Sequence, residues 1–139
     1  MKYRIPKVIW PKTKDKVLEI LKIYNYYALS LIGENQLEIN RDYNIKLKII
    51  ENKHLTIGIE ELLKRKLLLE HVVNSYNKLN IIEKEIIYRT YLSEKQVNDD
   101  IIANGLGFSV KYYYKIKKET IIKLAFALGV EVLKGDEDN

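Results

Sequence analysis

Asn98 to Leu128 reads NDDIIANGLGFSVKYYYKIKKETIIKLAFAL. Its apolar spacing predicts a helix over 98–105, a tight turn, and a second helix over 109–128. Asn98 or Asp99 is placed to cap the first helix, accepting bonds from the free N–H groups of its first turn. Ile101, Ile102 and Leu106 supply an apolar face, and Ala103 is small enough for a second helix to cross close above it. Gly107 falls where the chain must turn sharply, at a position that tolerates φ > 0 because it has no Cβ. Ser109 is a good cap for the next helix. Together these features lay out a helix-turn-helix, whose second helix characteristically enters the DNA major groove.

In that second helix Tyr113, Ile116, Thr120 and Leu124 share an inward stripe. The opposite face holds Val110, Lys111, Tyr112, Tyr114, Lys115 and Lys118. Lys115, Lys117, Lys118 and Lys123 are the candidates to neutralise phosphates, while Val110, Lys111, Tyr112 and Tyr114 are the candidates to reach base edges. Ser109 and the backbone N–H groups at the helix start can hold a phosphate. The competing reading is an ordinary solvated amphipathic helix, but the small residue, glycine, cap and apolar spacings all agree on the helix-turn-helix.

Working outward, Ile81–Tyr91 predicts a further helix, with Ile82, Ile86, Ile87 and Leu92 inward and Glu83, Lys84, Glu85 and Arg89 outward. Three helices over 81–92, 98–105 and 109–128 are the minimum that buries a common core. Gly129 ends the last of them, and the acidic tail 135–139 is expected to fray.

The run from Leu79 through Leu133, with Tyr91-Leu92 before the turn and the ending IKKETIIKLAFALG, resembles the autolysin-regulator (ArpU) type of phage transcriptional regulators. It is also similar to the RinA-type activators of phage and mobile-element genes. The resemblance implies a C-terminal helix-turn-helix similar to region 4 of bacterial sigma factors, double-stranded promoter DNA as partner, and a contact with RNA polymerase. It further implies a place in the cytoplasm of a bacterial host, associated with the nucleoid. One departure is the run Tyr112-Tyr113-Tyr114, where sigma-like recognition helices more often carry Arg, Glu or Gln.

The N-terminal region, 1–80, is expected to be helical. Pro6 and Pro11 disfavour helix at the residues before them, so 1–12 reads as an extended arm with Lys2, Arg4, Lys7 and Lys12 exposed. Such an arm can lie along a DNA backbone, or serve simply as a tail whose Trp10 tucks onto the core; the second is favoured. A helix over 13–32 follows, capped by Thr13, carrying Val17, Leu18, Leu21, Tyr24, Ala28 and Leu31 on one stripe, and closed by Gly33. Leu37, Ile39, Ile45, Leu47 and Ile49 alternate with polar residues, so 36–50 reads either as a small β-hairpin, which is slightly favoured, or as a loop followed by a short helix. A long helix over 56–80 begins at Thr56, with Glu60 and Glu61 in its first turn. Its apolar surface is wider than one stripe. Burial against several neighbours and self-association into a homo-oligomer are both open readings.

A chain of 139 residues with 47% hydrophobic and 31% charged residues is globular rather than generally disordered. Its net charge of +5 suits a polyanionic partner. The absence of cysteine excludes disulfides, thiolate metal sites and a cysteine nucleophile. No stretch is apolar enough for a membrane span, and MKYRIPKVIWPK lacks the apolar core of a secretory signal. His54 and His71, the only histidines, have no ligand-like spacing, so no metal is expected. Asp99-Asp100 is explained by helix capping, and neither GxxxxGK[ST] nor GxGxxG follows a strand, so neither an enzyme nor a cofactor is expected. Tyr24, Tyr26, Tyr27, Tyr76, Tyr88 and Tyr91 read as core or boundary packing.

The chain therefore reads as mainly α, with a helical N-terminal part, a small hairpin and a C-terminal helix-turn-helix over 81–134 that binds duplex DNA. Two other classes fit the same features: a small-terminase-like DNA-packaging recognition subunit, and a module whose Tyr-Lys helix docks on a protein.

Overall fold

The computed structural model describes residues 6–32, 37–39, 41–49 and 56–135. In order, the elements are α1 (Trp10–Leu31), β1 (Leu37–Ile39), β2 (Ile45–Leu47), α2 (Ile59–Tyr76), α3 (Ile81–Ile87), α4 (Asp99–Leu106) and α5 (Val110–Leu128). The architecture is mainly α. The hairpin expected within 36–50 is an antiparallel pair with Leu37 opposite Leu47 and Ile39 opposite Ile45. It is held to α2 by Asn77, whose side chain accepts from the Ile45 N–H at 2.9 Å and donates to its carbonyl at 2.9 Å.

The main core joins elements from both ends of the chain. Val17, Leu21, Tyr24 and Leu31 of α1 meet Leu69, Val72, Val73 and Tyr76 of α2 and Ile121, Leu124, Ala125 and Leu128 of α5. Burial of such side chains stabilises by about 1.5–3 kcal/mol each, so this shared core dominates the fold. It crosses position 80/81, where the sequence places the start of the helix-turn-helix unit. A second, smaller core gathers Ile86, Ile102, Ala103 and Tyr113.

Several local expectations change. Helix α1 starts at Trp10 rather than Thr13, because Pro11 falls in the first turn, where its missing N–H costs no helical bond. Thr13 is buried inside the helix and clamps the chain end: its hydroxyl accepts from Val132 N–H at 3.1 Å and donates to the Val132 carbonyl at 3.4 Å. The arm expected over 1–12 is therefore helical from residue 10. Its preceding residues lie against the C-terminal segment, with Ile9 N–H on the Val132 carbonyl and Lys134 N–H on that of Lys7. Residues 1–5, Gly33 and the tail 136–139 lie outside the described residues. Trp10 packs partly buried against the main core.

Helix α2 begins at Ile59, after an extended Gly58, and Thr56 makes no cap. Ile59 is 81% exposed, and Leu63 and Leu67 are each 56% exposed, so among the described residues one apolar stripe of this helix is left largely open. In α3 the expected faces are partly exchanged: Ile82 is exposed, whereas Glu83 and Lys84 are buried. Asn80 caps the helix by accepting from Glu83 N–H, and Glu83 folds back to accept from Asn80 N–H, forming a capping box. The other Glu83 oxygen takes the Lys123 ammonium, and Lys84 donates to Asn44. Long-range partners thus pull two charges inward. After Ile87 the helix widens into a π-helical turn, Tyr88–Leu92, which Ser93 N–H closes on the Tyr88 carbonyl. Tyr26, expected at the boundary, is largely exposed, while Tyr24 and Tyr76 are buried.

Candidate nucleic-acid interface

The unit formed by α4, the turn and α5 is built from local chemistry. Helix α4 stops at Gly107, which adopts φ 73° and ψ 23°. Phe108 N–H reaches back to the Ala103 carbonyl at 2.9 Å, satisfying a carbonyl that the helix end would otherwise leave bare. Ser109 is extended and its hydroxyl accepts from Tyr112 N–H at 3.2 Å, so α5 starts with a side-chain cap. The first turn of α5 contains no acidic residue, so no carboxylate of that turn offsets its positive dipole end.

The start of α4 departs from expectation. Asn98 stands at the cap position without a side-chain bond, and Asp99 does other work. The Asp99 carboxylate accepts from the Tyr113 hydroxyl at 2.7 Å and from the Lys117 ammonium at 3.0 Å, with Tyr114 approaching at 3.5 Å. It ties α4 to the beginning of α5. Burial opposes the charged form of Asp99, but the hydrogen bonds from Tyr113 and Lys117, helped by the Lys117 charge, outweigh it and hold its pKa below the ordinary value. Burial also pulls Lys117 down, and the Asp99 bond with neighbouring Tyr91 reverses that, so Lys117 stays charged. Burial, followed by the bond to Asp99, pushes the Tyr113 hydroxyl up. Ile101, expected inward, is exposed; the α4 face that packs is Ile102 and Ala103.

The sequence-predicted interface residues divide accordingly. Ser109, Val110, Lys111, Tyr112, Tyr114, Lys115 and Lys118 are all exposed along the first half of α5. Phe108 buttresses Tyr112 edge-on, with ring centroids 4.8 Å apart. Lys117 is different: its side chain is 14% exposed, paired with Asp99, and its ammonium lies 5.3 Å from the Tyr91 ring centroid. Lys123 is exposed but already paired with Glu83 at 2.7 Å. Both cations are already paired with carboxylates of the chain, which leaves Lys111, Lys115 and Lys118 as the lysines of the predicted set without an ion pair among the described residues.

Two features were not legible from local pattern. Asp99 acts as a clamp rather than a cap, and Trp10 from the chain's beginning sits beside Lys118, whose ammonium is 5.2 Å from its ring centroid. Both depend on contacts between residues distant in sequence. The described residues contain no group of three or more His, Asp or Glu side chains arranged to hold a metal ion. His71 faces the Leu128 carbonyl at 2.9 Å, a structural bond, and His54 lies outside the described residues. No helix among the described residues is long and apolar enough to cross a membrane. Compared with known proteins, the chain matches no family model, no curated protein and no solved structure at significant similarity.

Proposed function

We propose that the chain binds double-stranded DNA in a sequence-specific way through α5, and regulates transcription as an activator of phage or mobile-element genes. The observation that carries the binding half is the exposed Lys111, Tyr112, Tyr114, Lys115 and Lys118 face, presented on the first half of a capped helix that follows a left-handed turn. Lys115 and Lys118 neutralise phosphates and set register, while Val110, Lys111, Tyr112 and Tyr114 meet base edges, where a tyrosine can hydrogen-bond or touch a thymine methyl. The regulatory half comes from the resemblance to ArpU- and RinA-type proteins, and activation adds a contact with RNA polymerase.

The test is selection of bound fragments from a random duplex library, followed by titration of the winner and of scrambled DNA. A defined motif preferred by orders of magnitude is expected. Tyr112→Ala should cost about 1–3 kcal/mol on that motif and less on scrambled DNA. Equal losses on both would remove Tyr112 from base reading, and no duplex binding at low salt would leave the Tyr-Lys helix as a protein-docking surface.

The exposed Ile59, Leu63 and Leu67 stripe favours a second reading, an oligomeric DNA-packaging recognition subunit. Light scattering separates the two: a large ring supports packaging, a monomer or dimer the regulator.

A further inference from the structure

We propose that the start of α1 belongs to the DNA-binding surface, with Lys14 and Lys118 gripping the phosphate backbone beside Trp10. The inference rests on α5 being the DNA-reading helix and extends the footprint to a second element. The Lys14 ammonium lies 5.8 Å, and that of Lys118 5.2 Å, from the same Trp10 ring centroid. The two charges are therefore no more than about 11 Å apart. Trp10 is anchored against the main core, so the ring is a fixed platform rather than a loose side chain.

The locus is continuous with the α5 face. Lys111, Lys115 and Lys118 recur at steps of four and three and share one stripe of the helix, and Lys118 is where that stripe meets α1. Among the described residues none of Lys14, Lys111, Lys115 and Lys118 forms an ion pair with a carboxylate, whereas Lys117 and Lys123 each do. The electron-rich ring attracts both ammonium groups without cancelling their charge. An external phosphate placed there neutralises them, and its condensed counterions are released to solvent, which is the main source of affinity for a polyanion.

The test uses the full chain and a fluorescently labelled mixed-sequence duplex, because phosphate contacts do not depend on sequence. Affinity is measured across a salt series for the natural sequence, Lys14→Ala, Lys14→Gln and Lys115→Ala, with thermal melting to confirm that each variant folds. Both Lys14 variants should bind several-fold more weakly at low salt and lower the slope of log K against log salt by about one. Trp10 is the chain's single tryptophan, so its emission should also change as the duplex saturates the protein. A slope that does not fall, or emission that does not respond, overturns the inference. If Lys115→Ala still lowers affinity and slope in that event, the reading of α5 stands without α1. If Lys115→Ala is also silent, or the natural sequence binds no duplex, both fail together.

Discussion

From Val110 to Lys118, α5 turns Lys111, Tyr112, Tyr114, Lys115 and Lys118 to solvent and keeps only Tyr113 fully inside. From Thr120 to Leu128 the same helix buries Thr120 and packs Ile121, Leu124, Ala125 and Leu128 among residues of α1 and α2. One continuous helix thus has a display half and an anchor half. The display half is held by a small core of Ile86, Ile102, Ala103 and Tyr113 and by the Asp99 clamp; the anchor half is held by the main core. Stability follows buried apolar contact, so the two halves should respond differently to damage. Substitutions among the exposed residues of the display half should therefore leave the main core intact.

The largest expected effect lies in the anchor. Leu124→Ala removes a fully buried side chain from the main core and should lower the unfolding free energy by about 2–5 kcal/mol, read as a lower urea midpoint. A loss below about 1 kcal/mol would mean that α5 is not anchored as described. Next comes the clamp. Asp99→Asn keeps the size of the side chain but removes the charge that binds Tyr113 and Lys117, and should cost about 1.5–3 kcal/mol at neutral pH. The pH dependence has a defined sign. The folded-state pKa of Asp99 is depressed, so its contribution is whole above the unfolded value of about 3.9 and disappears as pH falls through the lower folded value. Stability curves of the natural protein and Asp99→Asn should therefore run apart near neutral pH and converge in acid. A gap that persists unchanged below the folded value would show that the charge is not what Asp99 supplies.

The display half was largely legible in sequence because its information is local. A period of 3.6 separates Tyr113 from Tyr112 and Tyr114, and Gly107, Ser109 and Gly129 act through bonds to neighbours within a few residues. Most of what escaped the sequence depends on distant partners. Glu83 and Lys84 look like solvated charges until Lys123 and Asn44 are brought to them by the fold. Pro11 looks like a helix breaker, yet its position in the first turn makes it compatible with a helix. Asp99 looks like a cap because caps are the commonest use of an aspartate there, and only the approach of Tyr113 and Lys117 gives it another role. The Trp10 and Lys118 contact joins opposite ends of the chain and has no local signature. Contacts between residues distant in sequence, rather than apolar pattern, account for Glu83 and Lys84, for Asp99 and for Trp10, whereas Pro11 turns on its place in the first turn.

The smallest effect isolates the turn that joins α4 to the display half. Gly107 has a φ of 73°, but a Cβ added there would meet nothing within 4 Å. Gly107→Ala therefore tests backbone strain alone, and should cost about 1–2 kcal/mol because a left-handed conformation is unfavourable for alanine. Gly107→Asn should lose less, since asparagine tolerates that region. The location of the damage sharpens the contrast between the halves. Hydrogen exchange should quicken in α4 and in the first turns of α5, while amides around Leu124 keep their protection, because the anchor is held by α1 and α2 rather than by the turn. Equal loosening along the whole of α5 would mean that its two halves open as one unit, and that the division between display and anchor describes position without describing energetics.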